Sequence, residues 1–151
     1  MSKIELVIDG CAVWCSEVRE PVTSTEDVVR EAEDTLKHFS VISCLKQEAF
    51  AVLSLNGANK PNGPARIVTL GLLNSNQVHP REVFADPIVD RAAAIIVAHN
   101  HPSGTMEASP EDLAITRRLV KAGEILGIRV LDHLILSPDG GHISMKQKGL
   151  M

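Results

Sequence analysis

Residues 93–102 read AAIIVAHNHP, and this stretch decides the fold. A β-branched apolar run with no polar break is the signature of a central strand covered on both faces. Pro102 stops it just after the second histidine. Alternate residues of an extended strand point to the same side. With extension kept through residue 101, His99 and His101 project from one face, and Ala98 and Asn100 from the other. Two imidazoles at that separation can reach one cation, and the end of a buried strand is where sheet domains commonly hold their sites.

Downstream, HNHPSGTMEA (99–108) forms a loop, and SPEDLAITRRLVKAGEILG (109–127) is the clearest helix in the chain. Ser109 is its N-cap, Pro110 takes the first helical position, two acids follow, and Gly127 closes it. Leu113, Ile115, Thr116, Leu119, Val120 and Ala122 give it an apolar side, while Arg117, Arg118 and Lys121 form its wet face. Asp112 thus sits in the first turn, and the loop is long enough to fold that turn back over the strand end. The whole pattern is H-x-H-x7-S-x2-D. Two neutral imidazoles and one carboxylate leave a fourth tetrahedral position for water, the ligand count of a catalytic zinc site rather than a closed structural one. A cation so held lowers the pKa of water toward ~7 and polarises a carbonyl. S-x-x-D is also an ordinary helix start, with a capping hydroxyl and an acid near the positive end of the dipole. The two roles of Ser109 are compatible.

Working outward, IRVLDHLILS (128–137) is another central strand and GHISM (141–145) a last, edge strand. Asp132 and His133 interrupt the first of these. They either orient a ligand from behind or satisfy buried backbone groups. Upstream, REVFADPIVDRAAA (81–94) reads as a helix, kinked or restarted at Pro87. AFAVLSL (49–55) and RIVTLGLL (66–73) are strands, antiparallel to each other across the turn-forming NGANKPNGP. STEDVVREAEDTLKHF gives a helix over about 25–38, capped by Ser24 or Thr25, with Val28, Val29, Ala32, Leu36 and Phe39 inward. IELVI (4–8) is a short strand. His38, His79 and His142 have no spacing partner and fall to surface or loop roles. The order of elements predicts a layered α/β (α+β mixed-sheet) domain with one central sheet.

Composition limits the alternatives. The 151 residues suit one domain, and 44% hydrophobic content excludes disorder. With three Phe, one Trp and no Tyr, the core is aliphatic. A chain of this size buries roughly 68–70% of its unfolded surface and needs no disulfide or structural metal. The formal net charge of −4 and the scarcity of aromatics for base stacking weigh against nucleic acid. No apolar run reaches the ~18 residues of a membrane span, and MSKIELVIDG lacks the long apolar stretch of a signal peptide. An odd count of three cysteines suits a reducing compartment, so a cytoplasmic location is expected. Cys11 and Cys15 form a C-x3-C without a second ligand pair nearby, which favours free thiols over zinc.

AHNHPSG, S-x-x-D and LGIRVLDHLI closely resemble the RadC-like family, a bacterial branch of the JAB1/MPN/Mov34 (JAMM) metalloenzymes. The resemblance runs from about Ser24 to Gly149 and also takes in TLGLLNSNQVHPREVF. It divides the chain into an N-terminal extension, 1–22, with no match, and a RadC-like JAB/MPN domain, 23–151. It implies an MPN-type mixed sheet with flanking helices, similar to the cytidine deaminase fold. His99, His101 and Asp112 match the family's zinc ligands. The resemblance is to a short form without the helix-hairpin-helix region of longer RadC proteins, so a DNA-related role of that region does not carry over. Thr105–Ala108 also departs from the proline-containing stretch of the family, although the spacing from His101 to Asp112 is kept.

The resemblance further implies a general base. JAMM enzymes use a Glu at the start of an early strand beside the zinc strand, and Glu48 in KQEAFAVLSL sits there. Glu82 in HPREVF is the second candidate. The implied activity is zinc-dependent hydrolysis of an amide or isopeptide bond in a protein, peptide or small amide, with Glu48 moving the proton and Ser109 donating to the oxyanion. The competing readings are a zinc-containing scaffold without activity and a DNA-repair accessory protein. A nucleobase deaminase needs H-x-E and P-C-x-x-C, and neither occurs. An unpaired edge strand can also join two copies into a homodimer.

Overall fold

The computed structural model describes residues 4–8, 11–15, 27–71 and 78–151, the first two segments as backbone only. These segments are strands β1 (Ile4–Ile8) and β2 (Cys11–Cys15), paired antiparallel. The expectations for the Cys11 and Cys15 thiols, for Ser24 or Thr25 as a cap, and for strand beyond Gly71 lie outside the described residues.

The remaining strands form one sheet, β3 (Ala49–Leu55), β4 (Arg66–Leu70), β5 (Ala94–Asn100), β6 (Arg129–Leu136) and β7 (His142–Ser144), in the order β4-β3-β5-β6-β7. Among the described residues, only β5 and β6 run parallel. The connection between them is α3 (Pro110–Leu126), the crossover that a parallel pair requires. The fold is therefore the expected mixed α/β domain, with β5 at its centre and β7 at an edge.

The sheet is covered on both faces. Ala94, Ile96 and Ala98 of β5 join Ala51 and Leu53 of β3 in a core closed by Val29, Ala32, Phe39, Ile42 and Leu45. Ile95 and Val97 join Phe50 and Val52 in a second core, against Val83 and Phe84 of α2 (Pro80–Val89) and Ile115 and Leu119 of α3. Every residue of β3 and of β5 is buried, as their unbroken apolar runs require.

Two of the expected helices differ from expectation. The helix expected over 25–38 is a 3-10 helix over Ala32–Phe39 that runs into a single α-turn, α1 (Ser40–Ser43). Its start is set by Asp34, whose carboxylate accepts from the backbone N–H of Arg30 (2.8 Å) and Glu31 (3.0 Å). A 3-10 helix repeats every three residues, so Ala32, Thr35 and His38 form the inward stripe and His38 is buried rather than at the surface. Val28, expected inward, is exposed. α2 passes Pro87 without restarting and ends at Val89, short of the expected 94. His79 caps it, its Nδ1 accepting from the Arg81 N–H at 3.2 Å.

α3 follows expectation. Ser109 caps it, and Gly127 closes it at φ 72°, a left-handed conformation that glycine adopts without strain. Gly123 has a different reason: a Cβ there would lie 2.3 Å from the Ile128 carbonyl oxygen.

Asn100, fully buried at the end of β5, anchors the approach to β3. Its Oδ1 accepts from Ala49 N–H (2.6 Å), and its Nδ2 donates to the carbonyls of Leu45 (3.1 Å) and Gln47 (3.0 Å). One side chain thus replaces the ladder bonds that the chain lacks just before the strand. Asn100→Ala leaves three backbone groups short of a partner and should lower stability by about 2–4 kcal/mol in urea unfolding. A loss below about 0.5 kcal/mol would show that water takes over all three bonds.

Candidate metal centre

The pleat of β5 turns Ile95, Val97 and His99 to the α2/α3 face, and His101 follows just beyond the strand. His101 is still tied to the sheet, since its N–H donates to Leu136 O at 2.8 Å. Here α3 begins. Ser109 Oγ accepts from Asp112 N–H (3.1 Å), and Asp112 Oδ2 accepts from Ser109 N–H (2.8 Å), closing a reciprocal capping box. The same carboxylate meets both imidazoles. His99 Nε2 lies 3.1 Å from Asp112 Oδ1, and His101 Nε2 lies 3.5 Å from Asp112 Oδ2. The two Nε2 atoms are 2.9 Å apart, and one donor atom from each of the three residues falls within 4.8 Å of the others.

The hydrogen bonds behind the rings decide what these atoms present. His101 Nδ1 lies 2.8 Å from the Thr105 carbonyl, which can only accept. Nδ1 therefore carries the proton and Nε2 a lone pair in the neutral ring. His99 Nδ1 contacts Nε2 of His133 at 2.8 Å. Phe50 stacks on His99 (interplanar angle 8°) and meets His133 edge-on, walling both rings from the apolar side.

The electrostatics follow from burial and pairing. Burial alone would raise the Asp112 carboxyl, but hydrogen bonds from His101 and His99, the charge of His99 and the Ser109 N–H together hold it well below the usual carboxylate range. The Asp112 hydrogen bond, against the opposing effect of burial, raises His101, helped by the Thr105 carbonyl and by the charges of Asp112 and Glu48. Burial, and then the neighbouring His99, push His133 well below its ordinary value, so its ring is neutral. An anionic carboxylate and two Nε2 atoms at these separations repel unless a proton or a cation stands among them. The donor set is thus chemically suited to a divalent metal with nitrogen and oxygen ligands.

His99, His101, Ser109 and Asp112 line a cavity of about 290 Å³ with Glu48, Ser103, Thr105, Glu107 and Glu111. Phe50 of β3 pairs with His99, and Glu48 stands just before β3, two residues ahead of Phe50, at the wall of the same cavity. Glu82, the other candidate base, is exposed on α2, where its carboxylate pairs with Arg81 at 3.3 Å, and it does not line this cavity.

Asp132 and His133, left open by the sequence, divide between the two readings. Asp132 accepts from Ser144 Oγ (2.5 Å), His133 N–H (2.7 Å) and Lys146 N–H (3.1 Å), which fixes the turn after β7. His133 faces His99. Asn100 lies on the opposite face, as strand alternation predicts, and its anchoring role goes beyond what that alternation predicts. The available signal was a polar residue in a fully buried strand, which must find partners.

A family model described as a RadC-like JAB domain matches residues 22–150. The chain belongs to this family. It is 48% identical over 131 residues to a UPF0758 protein of Methanospirillum hungatei JF-1, covering 85% of this chain and 58% of that protein. It is 55% identical over 107 residues to a UPF0758 protein of Moorella thermoacetica, covering 71% and 46%. The UPF0758 protein TTE0897 of Caldanaerobacter subterraneus subsp. tengcongensis is 46% identical over 128 residues, covering 85% and 52%. The chain thus spans about half the length of the curated relatives it matches. No helix among the described residues is long and apolar enough to cross a membrane.

The pairing around Asp112 sets a pH dependence for chelator-treated protein. A raised His101 contributes stability in full below about pH 6.5, the ordinary imidazole value, and loses it as pH rises through its folded value. The lowered Asp112 contributes above the ordinary carboxylate range and loses this on acidification through its own folded value. The lowered His133 acts below about pH 6.5, where it makes stability rise with pH. The melting temperature of chelator-treated protein should therefore fall as pH rises above about 6.5 through the folded His101 value, and His101→Ala should flatten that fall. An equal fall in His101→Ala would assign the effect to other groups.

Proposed function

We propose that this RadC-like JAB domain is a zinc-dependent hydrolase of amide or isopeptide bonds, acting on a protein, peptide or small amide. The observation that carries the reading is the convergence of two imidazole Nε2 atoms and an ionised carboxylate on one point, at the wall of a cavity that Glu48 and Ser109 also line. His99, His101 and Asp112 would hold the zinc. A zinc ion in such a donor set supplies Lewis acidity and brings the pKa of water toward ~7.

The remaining roles belong to the chain. The Glu48 carboxylate accepts the proton from the attacking water and returns it to the leaving nitrogen, as one group acting first as base and then as acid. Its place is fixed through Asn100, which holds the backbone on either side of it at Gln47 and Ala49. The Ser109 hydroxyl receives the Asp112 N–H on its oxygen and keeps its hydrogen for another acceptor. It can donate that hydrogen to the oxygen that gains charge as the carbonyl carbon becomes tetrahedral. Phe50 and the buried rings behind the donors exclude water from that side, so the reaction opens only toward the polar rim.

The test is turnover of a panel of peptide and isopeptide amides by zinc-loaded protein, with metal content measured in parallel. Glu48→Gln should retain zinc while losing at least ~100-fold in rate. Full activity of that variant removes Glu48 as the base. Stoichiometric zinc in the wild type with no turnover on any amide would support the scaffold reading instead. Ser109→Ala should lose ~100- to 1,000-fold in turnover, beyond the ~1 kcal/mol of stability that removal of a helix cap costs. A stability loss alone would reduce Ser109 to its capping role.

A further inference from the structure

We propose that His133, anchored by Thr116, is a positioning residue that fixes the tautomer of His99 and so turns the His99 Nε2 lone pair toward the metal position. This rests on the metal-binding reading above and adds residues that touch neither metal nor substrate.

The argument is a count of hydrogens along one chain of contacts. His99 Nδ1 meets His133 Nε2 at 2.8 Å, His133 Nδ1 meets Thr116 Oγ1 at 2.6 Å, and Thr116 Oγ1 meets the Asp112 carbonyl oxygen at 2.7 Å. Each contact needs one hydrogen. The carbonyl has none, so the Thr116 hydroxyl donates to it. That spends the only hydroxyl hydrogen, so His133 Nδ1–H must donate to Thr116. A neutral His133 then has a bare Nε2, which accepts from His99 Nδ1–H. His99 is left with its lone pair on Nε2, the atom facing His101 and Asp112.

The opposite direction fails at the carbonyl. Were Thr116 to donate to His133, its oxygen would sit 2.7 Å from the Asp112 carbonyl with no hydrogen between them. The sulfur of Met145, 3.4 Å away, is a weaker and more distant acceptor for the same hydroxyl. His133 and Thr116 are almost wholly buried, so no water competes for these bonds. The relay also spans the elements that carry the donors. Thr116 lies one turn after Asp112 on α3, and His133 sits on β6 beside β5, so the chain ties Asp112 to His99 through a path separate from the metal position.

The experiment compares zinc affinity by chelator competition with the ¹⁵N spectrum of the imidazoles in metal-free protein, at a pH well above the imidazole range. In the wild type, His99 should carry its proton on Nδ1. His133→Leu should release that preference and weaken zinc binding by about 10- to 100-fold. His133→Gln retains an acceptor and a donor and should recover most of the affinity. Thr116→Val keeps the packing volume and removes the hydroxyl, so it tests the relay if His133→Leu does not fold. It should give mixed His99 tautomers and weaker zinc binding. A wild-type His99 protonated on Nε2, or unchanged zinc affinity in folded Thr116→Val, would overturn the assignment. Failure of the wild type to bind zinc would sink the metal reading, while the spectrum of the metal-free protein would still decide the tautomer.

Discussion

The pleat of β5 is the constraint on which the rest of the structure depends. Ala94, Ile96, Ala98 and Asn100 belong to one face of the sheet, and Ile95, Val97 and His99 to the other. A slip of one residue would exchange the two sets completely. It would press both histidines into the core under the 3-10 helix and leave Asn100 facing the cavity. The register is held by the large apolar clusters on each side, not by the polar groups. The strand end can therefore do two jobs at once. His99 and His101 furnish donors on one face, and Asn100, between them in sequence, holds the segment that carries Glu48 on the other.

This arrangement explains what was legible in the sequence. AIIVAHN and the capped helix after it could be read directly, because a continuous apolar strand and a Ser-Pro-acid-acid start leave few alternatives. The convergence of His99, His101 and Asp112 followed from strand alternation plus the position of a helix start. The 3-10 helix was harder. Val28, Val29, Ala32, Leu36 and Phe39 satisfy an α-helical period, and nothing local in the sequence announces a period of three. The inward stripe of Ala32, Thr35 and His38 becomes visible only when Asp34 is seen to fold back on Arg30 and Glu31. His133 and Thr116 belong to a third kind. They are seventeen residues apart, on different elements, and meet through a single hydrogen bond. Periodicity within one segment cannot report a contact between two.

Asp112 carries two duties that might be expected to conflict. Its carboxylate is part of a capping box and also faces two imidazoles. A carboxylate has about four lone-pair sites on two oxygens, so one bond from the Ser109 N–H leaves acceptor capacity toward the histidines. The cap is an advantage to the site. It fixes the carboxylate rotamer, and the positive end of α3 favours the ionised form. A helix start is thus a rigid mount for an anionic ligand, and the same geometry that begins α3 aims Asp112 at β5.

The domain does not need a metal for its core. The clusters on both faces of the sheet form from apolar side chains that include none of the three donors. The three donors stand outside both clusters. His99 and Asp112 are nearly inaccessible, and a buried ionised carboxylate beside imidazoles is costly unless its charge is balanced. Donors that neither core uses, gathered where the fold is otherwise complete, are what the proposed metal-binding reading expects of a functional site. Under the proposed reading, zinc offsets a local penalty and adds to stability only through mass action, growing with free metal above its dissociation constant. The two cores set the stability of the domain, and under the proposed reading the strand end sets what the domain does.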